Sequence, residues 1–292
     1  MSDRRRLLVT HHAPDLDAVG AVWMLKRFDP TNYADARVAF VNPGSRLSME
    51  EANKLGTQLH EVTHVDTGLG RFDHHQPERG HLQMSATSLT HEYVCSLDPH
   101  IADDVPLQQL VDFITQIDHF GEVHWPEAGH VRYSFMLHEL IGGFELQENY
   151  NDDNQLHFGM SCLDCVYGVL KQHHKAEEII SEKGQHFMIA AGPAIALDTR
   201  NDDTIKIAQK RGFVLVIRKD SQLGNIRVKA RPDADIDLTK LYEKIIQLDT
   251  VGDWYNHPSG KMLLNGSSKH TAQKASPLSL EQVMELVQEL YK

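Results

Sequence analysis

Along the first 120 residues, short apolar runs alternate with segments whose apolar positions recur every three or four residues. "RLLVT" (6–10), "ARVAFVN" (36–42) and "VTHVDT" (62–67) read as strands, and "LDAVGAVWMLKRF" (16–28) and "SMEEANKLG" (48–56) as helices. This alternation predicts right-handed crossovers and a mainly parallel sheet. From Ser85 to about Ala190 the helical period dominates, in "SATSLTHEYVCSL", "PLQQLVDFITQIDHF", "SFMLHELI" and "LDCVYGVLKQHHKAEEIISEKG". After "AAGP" the alternation returns, and "FVLVIRKDSQLGNIRVKA" reads as two antiparallel strands joined by a polar turn. "GKMLLNGSS" predicts a further strand and "SLEQVMELVQELY" a closing helix. The expected fold class is α/β, with a parallel-sheet domain and helical middle section over residues 1–190. A smaller α/β domain follows over 193–292, with the boundary near Gly192–Pro193.

A chain of 292 residues suits two such domains, at roughly 150 residues each. Its formal charge of -12 argues against a protein that coats DNA through a basic groove, so a phosphate-bearing substrate has to be recruited locally. Acidic residues gathered around cations would contribute to the same total. Nineteen histidines against three cysteines point to oxygen and imidazole ligands, and to a reducing compartment without a disulfide framework. Cys162 and Cys165 form a lone C-x-x-C with no second pair to complete a zinc site, and read as helix-packing residues. "MSDRRRLLVTHH" has too short an apolar run for a secretory signal or a membrane span, so a cytoplasmic location with no membrane partner is expected.

In open α/β sheets, functional groups collect beyond the carboxyl ends of parallel strands. "LVTHHAPDLDAVGAVWML" follows that grammar: His11 leaves a strand, and Asp15 and Asp17 flank a helix start. One of these aspartates could be an ordinary N-cap. "HVDTG" places Asp66 at a second strand end, "RFDHHQ" follows with His74 and His75, and "FITQIDHFGE" supplies Asp118. His11, Asp15, Asp17, Asp66, His74 and Asp118 make a set of hard oxygens and imidazoles suited to two divalent ions, manganese or magnesium. Ions about 3.5–4 Å apart on one bridging carboxylate activate water and clamp phosphoryl oxygens.

"HHAPDLDAVGAVW" and "VDTGLGRFDHHQ" together resemble the first motifs of the DHH phosphoesterase superfamily, which includes RecJ exonucleases, nanoRNases, cyclic-dinucleotide phosphodiesterases and family II inorganic pyrophosphatases. The short gap between "VDTG" and "FDHHQ" is closer to the melanocyte-proliferating-gene exonuclease branch, whereas "HHAPDLDA" is similar to the wider superfamily. The resemblance implies that His11, Asp15 and Asp66 hold one ion, and that Asp17, Asp66, His74 and Asp118 hold the other. It gives His75 to the substrate phosphate or to the orientation of the site, Asp73 to the support of the loop, and His12 the part of a neighbour. In the C-terminal domain, "DWYNHPSGKMLLNGSSKH" resembles a glycine-rich substrate-binding segment, with His257, Lys261, Asn265, Gly266 and Ser267 as candidates and Arg231 as a further cation. The implied activity is metal-dependent hydrolysis of phosphodiesters in short single-stranded oligonucleotides or phosphorylated small molecules, with a homodimer compatible with the sequence. The competing readings are a phosphoanhydride hydrolase acting on pyrophosphate or polyphosphate, and a binding protein of the same fold without chemistry.

Overall fold

Strand β1 (Leu7–His11) shares its side chains between two apolar layers. Leu8 enters the main core, whereas Leu7 and Val9 pack with Val41 and Leu47 on the other face. The computed structural model describes residues 6–266 and 272–292. After β1 come α1 (Leu16–Phe28), the single turn α2 (Pro30–Tyr33), β2 (Arg37–Val41), α3 (Met49–Lys54) and β3 (Val62–His64). The sheet order is β2-β1-β3, with both neighbours parallel to β1, as the alternating pattern predicts. Beyond β3, Val65 forms one further bridge with Phe72, and the chain folds back through the loop that carries Asp66.

Helices α4 (Ala86–Leu97), α5 (Val105–Asp118), α6 (Leu137–Gly143) and α7 (Asp152–Lys183) follow. α1 is buried from Leu16 to Leu25 and packs mainly on α4. Gly20 makes that approach feasible, because a Cβ there would stand 2.3 Å from Thr87 Oγ1. The chain divides into two compact units, Met1–Leu170 and Lys171–Lys292, and the division falls within α7. α7 begins at Asp152, earlier than the apolar period starting at Leu163 suggests.

In the second unit β4 (Gln185–Ile189), β5 (Gly192–Asp198), α8 (Asp203–Lys210), β6 (Leu215–Asp220), β7 (Asn225–Ala230), α9 (Thr239–Leu248), β8 (Trp254–Asn256), β9 (Met262–Asn265) and α10 (Leu280–Leu290) form a six-stranded mixed sheet with helices. The strand order is β4-β5-β6-β7-β9-β8. Among the described residues only β5 and β6 are parallel, joined through α8, and β6–β7 is the antiparallel pair expected from the sequence. The helical section predicted to run to Ala190 stops at Lys183: Phe187 and Ile189 are buried while His186 and Met188 are exposed, a two-residue period that makes Gln185–Ile189 a strand. Gly192, taken as the domain boundary, is the first residue of β5 and lies inside the second unit. Among the described residues no helix is long and apolar enough to cross a membrane.

Candidate metal centre

Four chain segments bring the acidic and imidazole groups of the first unit together. His11 is the last residue of β1, and its Nδ1 donates to the carbonyl oxygen of His12 at 2.8 Å. That bond turns the Nε2 lone pair inward. Nε2 lies 3.2 Å from Asp66 Oδ2 and 4.0 Å from Asp15 Oδ1. Asp15 is the N-cap of α1, its Oδ1 accepting from the backbone N–H groups of Asp17 and Ala18 at 3.0 Å each. Asp17 is buried, and its two oxygens accept from the N–H groups of Ala86 (2.7 Å) and Thr87 (2.8 Å) at the start of α4. Its Oδ2 is also 3.8 Å from His74 Nε2.

Asp66 is buried and left-handed, with φ at +53°. Few residues other than glycine adopt that conformation, and strain of this kind collects at functional sites. Its second oxygen, Oδ1, lies 3.6 Å from His74 Nε2 and 3.7 Å from His75 Nδ1. Asp118 ends α5 and directs Oδ2 to within 3.5 Å of His74 Nε2. Five of the six predicted ligands thus surround each other through Asp66 and His74. Asp17 reaches the same cluster while anchoring α4.

The electrostatics of this cluster fit a cation. Asp66 Oδ1, His74 Nε2 and Asp118 Oδ2 are buried without a hydrogen-bond partner, a costly state unless something else satisfies them. Burial lowers the proton affinity of His11 and His74, but the Asp66 carboxylate and its acidic neighbours outweigh it and raise both to about 9. Burial likewise works against charge on Asp66, yet His11 and His74 hold it below the usual carboxylate range. Asp118 is pushed up to about 6 by burial, and Asp17 is raised by burial and by the carboxylates of Asp66, Asp118 and Asp15. Among the described residues, three groups have ligand atoms close enough to share one ion: His11 with Asp15 and Asp66, Asp66 with His74 and His75, and His74 with Asp118 and His119.

Asp73 supports the loop, as expected. Fully buried, it accepts from the backbone N–H groups of Leu69 (2.6 Å) and His75 (3.0 Å), and its Oδ1 is 2.8 Å from His75 Nδ1. The His75 ring is thereby pinned at one edge while 59% of its side chain stays exposed. His12 is turned away from the cluster, with Nδ1 2.6 Å from Asp152 Oδ2 at the start of α7. The sequence reading missed Asp152, which also accepts from Ala13 N–H at 2.8 Å and so fixes the loop after β1. It missed His119 too, although the adjacent letters of "IDHF" signal it. His119 Nε2 lies 3.0 Å from the carbonyl oxygen of Met84 and 3.8 Å from Asp118 Oδ2. Asp15, Asp17, His74, His75, Asp118 and His119 line a cavity of about 500 Å³ that also takes in Glu122, His138 and Gln155.

In the second unit, the predicted substrate residues gather at β9 and its neighbours. Lys261 Nζ donates to the carbonyl oxygens of Ala234 (2.7 Å) and Ile236 (2.8 Å), and Arg231 Nε lies 2.6 Å from Asp233 Oδ1. His257 Nδ1 is 2.8 Å from Ser259 Oγ within a tight turn. Asn265 is fully buried: Nδ2 donates to the carbonyl oxygens of Asp253 and Lys274, and Oδ1 accepts from Ser276 N–H. Gly266 has φ at +71°, and a Cβ there would meet Asn225 Oδ1 at 2.2 Å. These residues hold the loops of the second unit together, and Asn265 is enclosed rather than presented. Ser267 lies outside the described residues. Cys95, Cys162 and Cys165 are free thiols, and no cysteine belongs to a ligand group among the described residues.

No family model matches the sequence, and no curated protein matches it. Solved structures similar to the chain are DHH domain proteins and RecJ exonucleases. One is a DHH domain protein described as a member of a family of ribosomal proteins, at 14% identity and a TM-score of 0.31, covering 99% of this chain and 87% of its own. RecJ from Thermus thermophilus in complex with Mg2+ has 12% identity and a TM-score of 0.34 over 98% of this chain, which spans only 49% of that protein. A RecJ exonuclease bound to manganese has 13% identity and a TM-score of 0.32, covering 98% of this chain and 90% of its own.

Proposed function

We propose that this protein is a divalent-metal-dependent phosphoesterase of the DHH type, hydrolysing phosphodiester bonds in short oligonucleotides or nucleotide-like molecules. The observation that carries the reading is Asp66, whose Oδ2 faces His11 at 3.2 Å while its Oδ1 faces His74 at 3.6 Å. A carboxylate that presents one oxygen to each of two imidazoles is placed to bridge two ions. His11 and Asp15 would complete one ion site, and His74 and Asp118 the other, with Asp17 and His119 beside them. Bound manganese or magnesium supplies the positive charge that polarises phosphoryl oxygens and makes water a nucleophile at neutral pH.

The chain's own groups have separate tasks in this proposal. His75, held by Asp73 at the wall of the cavity, would donate a hydrogen bond to a phosphoryl oxygen. Asp15 and Asp17 keep their positions by engaging helix starts, so the ligand cluster is ordered before substrate arrives. The wider division of labour, with the first unit catalytic and the second holding the remainder of the substrate, is proposed on the motif resemblance alone. The test is a hydrolysis screen of dinucleotides, cyclic dinucleotides, short RNA and DNA, and pyrophosphate, with manganese or magnesium and with a chelator. Turnover of diesters that depends on added metal supports the proposal. Turnover of pyrophosphate alone transfers the site to phosphoanhydrides, and no turnover at all leaves a binding protein.

A further inference from the structure

Among the described residues, twelve buried side-chain nitrogen or oxygen atoms have no hydrogen-bond partner. Folded proteins keep few such atoms, and each calls for a ligand, an ion, a water or strain to explain it. Five of the twelve belong to residues lining one cavity: His74, Asp118, Glu122, His138 and Gln155. The first two belong to the carboxylate–imidazole cluster. The other three have no part in it.

Gln155, in the first turns of α7, is fully buried. Its Nε2 donates to the carbonyl oxygen of Ile141 at 3.0 Å, which fixes the orientation of the amide and leaves Oε1 unpartnered. Glu122 stands in the 3-10 turn Gly121–His124, directly after Phe120, a residue held at a φ of +55°. Its Oε2 is unpartnered, as is Nδ1 of His138 in the first turn of α6. Two of these three atoms can only accept hydrogen bonds. A carboxylate and an amide oxygen repel phosphate and attract O–H and N–H groups.

We infer that Glu122, His138 and Gln155 form a subsite for the sugar hydroxyls of a nucleotide whose phosphate lies against the Asp66 cluster. The inference rests on the phosphoesterase reading and extends it from the phosphate to the sugar. A cavity of about 500 Å³ accommodates a phosphate and the groups next to it. The donors bonded nearest to a nucleotide phosphate are the ribose hydroxyls, whereas the amines of a base lie beyond the glycosidic bond. A ligand lacking the hydroxyl leaves buried acceptors unpaired, which is how hydroxyl-binding sites reject deoxy analogues.

The test is calorimetric binding to the full chain in the presence of Mn2+, with adenosine and uridine 5′-monophosphates and their 2′-deoxy and 3′-deoxy counterparts. The ribonucleotides should bind at least tenfold more tightly than one or both deoxy forms, for either base. Glu122→Met and Gln155→Met should each reduce that ratio to less than threefold, with Mn2+ affinity unchanged. Gln155→Met also loses the bond to Ile141 and can unfold the protein, in which case Glu122→Met alone decides. Equal binding of all three sugars, no binding of any, a preference seen only with the amino-bearing base, or a ratio that survives the variants would each overturn the subsite. Diester hydrolysis is measured separately. Sugar discrimination without turnover would sink the phosphoesterase reading alone, and turnover without discrimination would sink the subsite alone.

Discussion

Replacing Asp66 by Asn removes one negative charge and almost no volume. In the wild-type protein that charge lies 3.2 Å from His11 Nε2 and 3.6 Å from His74 Nε2. At an effective dielectric of about 20, each contact is an attraction of about 5 kcal/mol for a protonated imidazole. Burial opposes the charged ring, and the net effect is a rise from 6.5 to about 9, or about 3 kcal/mol per histidine. In metal-free Asp66→Asn both histidines should therefore titrate well below 9, with Asp15 and the His12 carbonyl oxygen left to oppose burial at His11, and Asp118 and Asp17 at His74. NMR titration of the ring protons reads this directly. A divalent cation loses more than a proton does, so Mn2+ affinity should fall at least about a hundredfold, measured by calorimetry, and turnover by several powers of ten. Two histidines still titrating near 9, or two Mn2+ ions bound with wild-type affinity, would refute the bridging role.

The same shifts set a pH dependence. A histidine whose folded value is raised stabilises the protein fully below 6.5 and loses that contribution as pH climbs through about 9, and Asp118, raised to about 6, has the same sign in its lower window. The melting temperature of the metal-free protein should accordingly fall between pH 6.5 and 9, while saturating Mn2+ removes the trend; a metal-free profile that rises over this window would contradict the assignment. Mn2+ uptake at pH 7.5 should release about two protons, detected by calorimetry in buffers of different ionisation enthalpy. Chelation should abolish hydrolysis and manganese restore it, and full activity after exhaustive metal removal would exclude the two-ion centre. Gly20→Ala should destabilise the first unit by about 1–3 kcal/mol in denaturant unfolding, through the contact with Thr87 Oγ1. Gly266→Ala should cost about 1–2 kcal/mol through its positive φ and Asn225, with no change in bound metal, and metal loss from the folded variant would contradict its placement in the second unit.

Much of the fold was legible because burial imposes a period. α1 runs from Leu16 to Phe28, the span its apolar positions predict, and β1, β2, β6 and β7 fall where branched apolar runs put them. Reading failed where an element is too short to display a period. β8 has three residues, of which Tyr255 is exposed, and it is held by pairing with β9 rather than by an apolar run of its own. In the candidate metal centre, His11 and Asp66 were visible as costly groups at strand ends, and His74 as one in the loop that follows. Glu122, His138 and Gln155 were not, because they come from three separate elements of the helical section and share a cavity only after folding. The glycine-rich segment misled in a different way. Small polar residues suit close approach to an anion, but they suit an internal buckle equally well, and Asn265 spends both ends of its amide on neighbouring backbone.

The spacing of Asp15 and Asp17 joins these threads. An aspartate at an N-cap commits an oxygen to the first N–H groups of its own helix, and Asp15 does so for α1. Two residues on, Asp17 stands inside the first turn and takes the N–H groups of Ala86 and Thr87 from a second helix, α4. Gly20, one turn further, lets α4 come that close, and Thr87 Oγ1 completes the junction by donating to the Asp17 carbonyl oxygen at 3.0 Å. The starts of α1 and α4 thus converge beside His74, and the positive ends of both helix dipoles favour the carboxylates gathered there. Such an arrangement lowers the cost of crowding four aspartates around two imidazoles before any ion arrives. It also accounts for the left-handed Asp66: with β1 on one side and the Asp73-braced loop on the other, the backbone is held by Asp66 N–H donating to the Phe72 carbonyl oxygen at 2.8 Å, so the strain at φ +53° is sustained by contacts on both flanks.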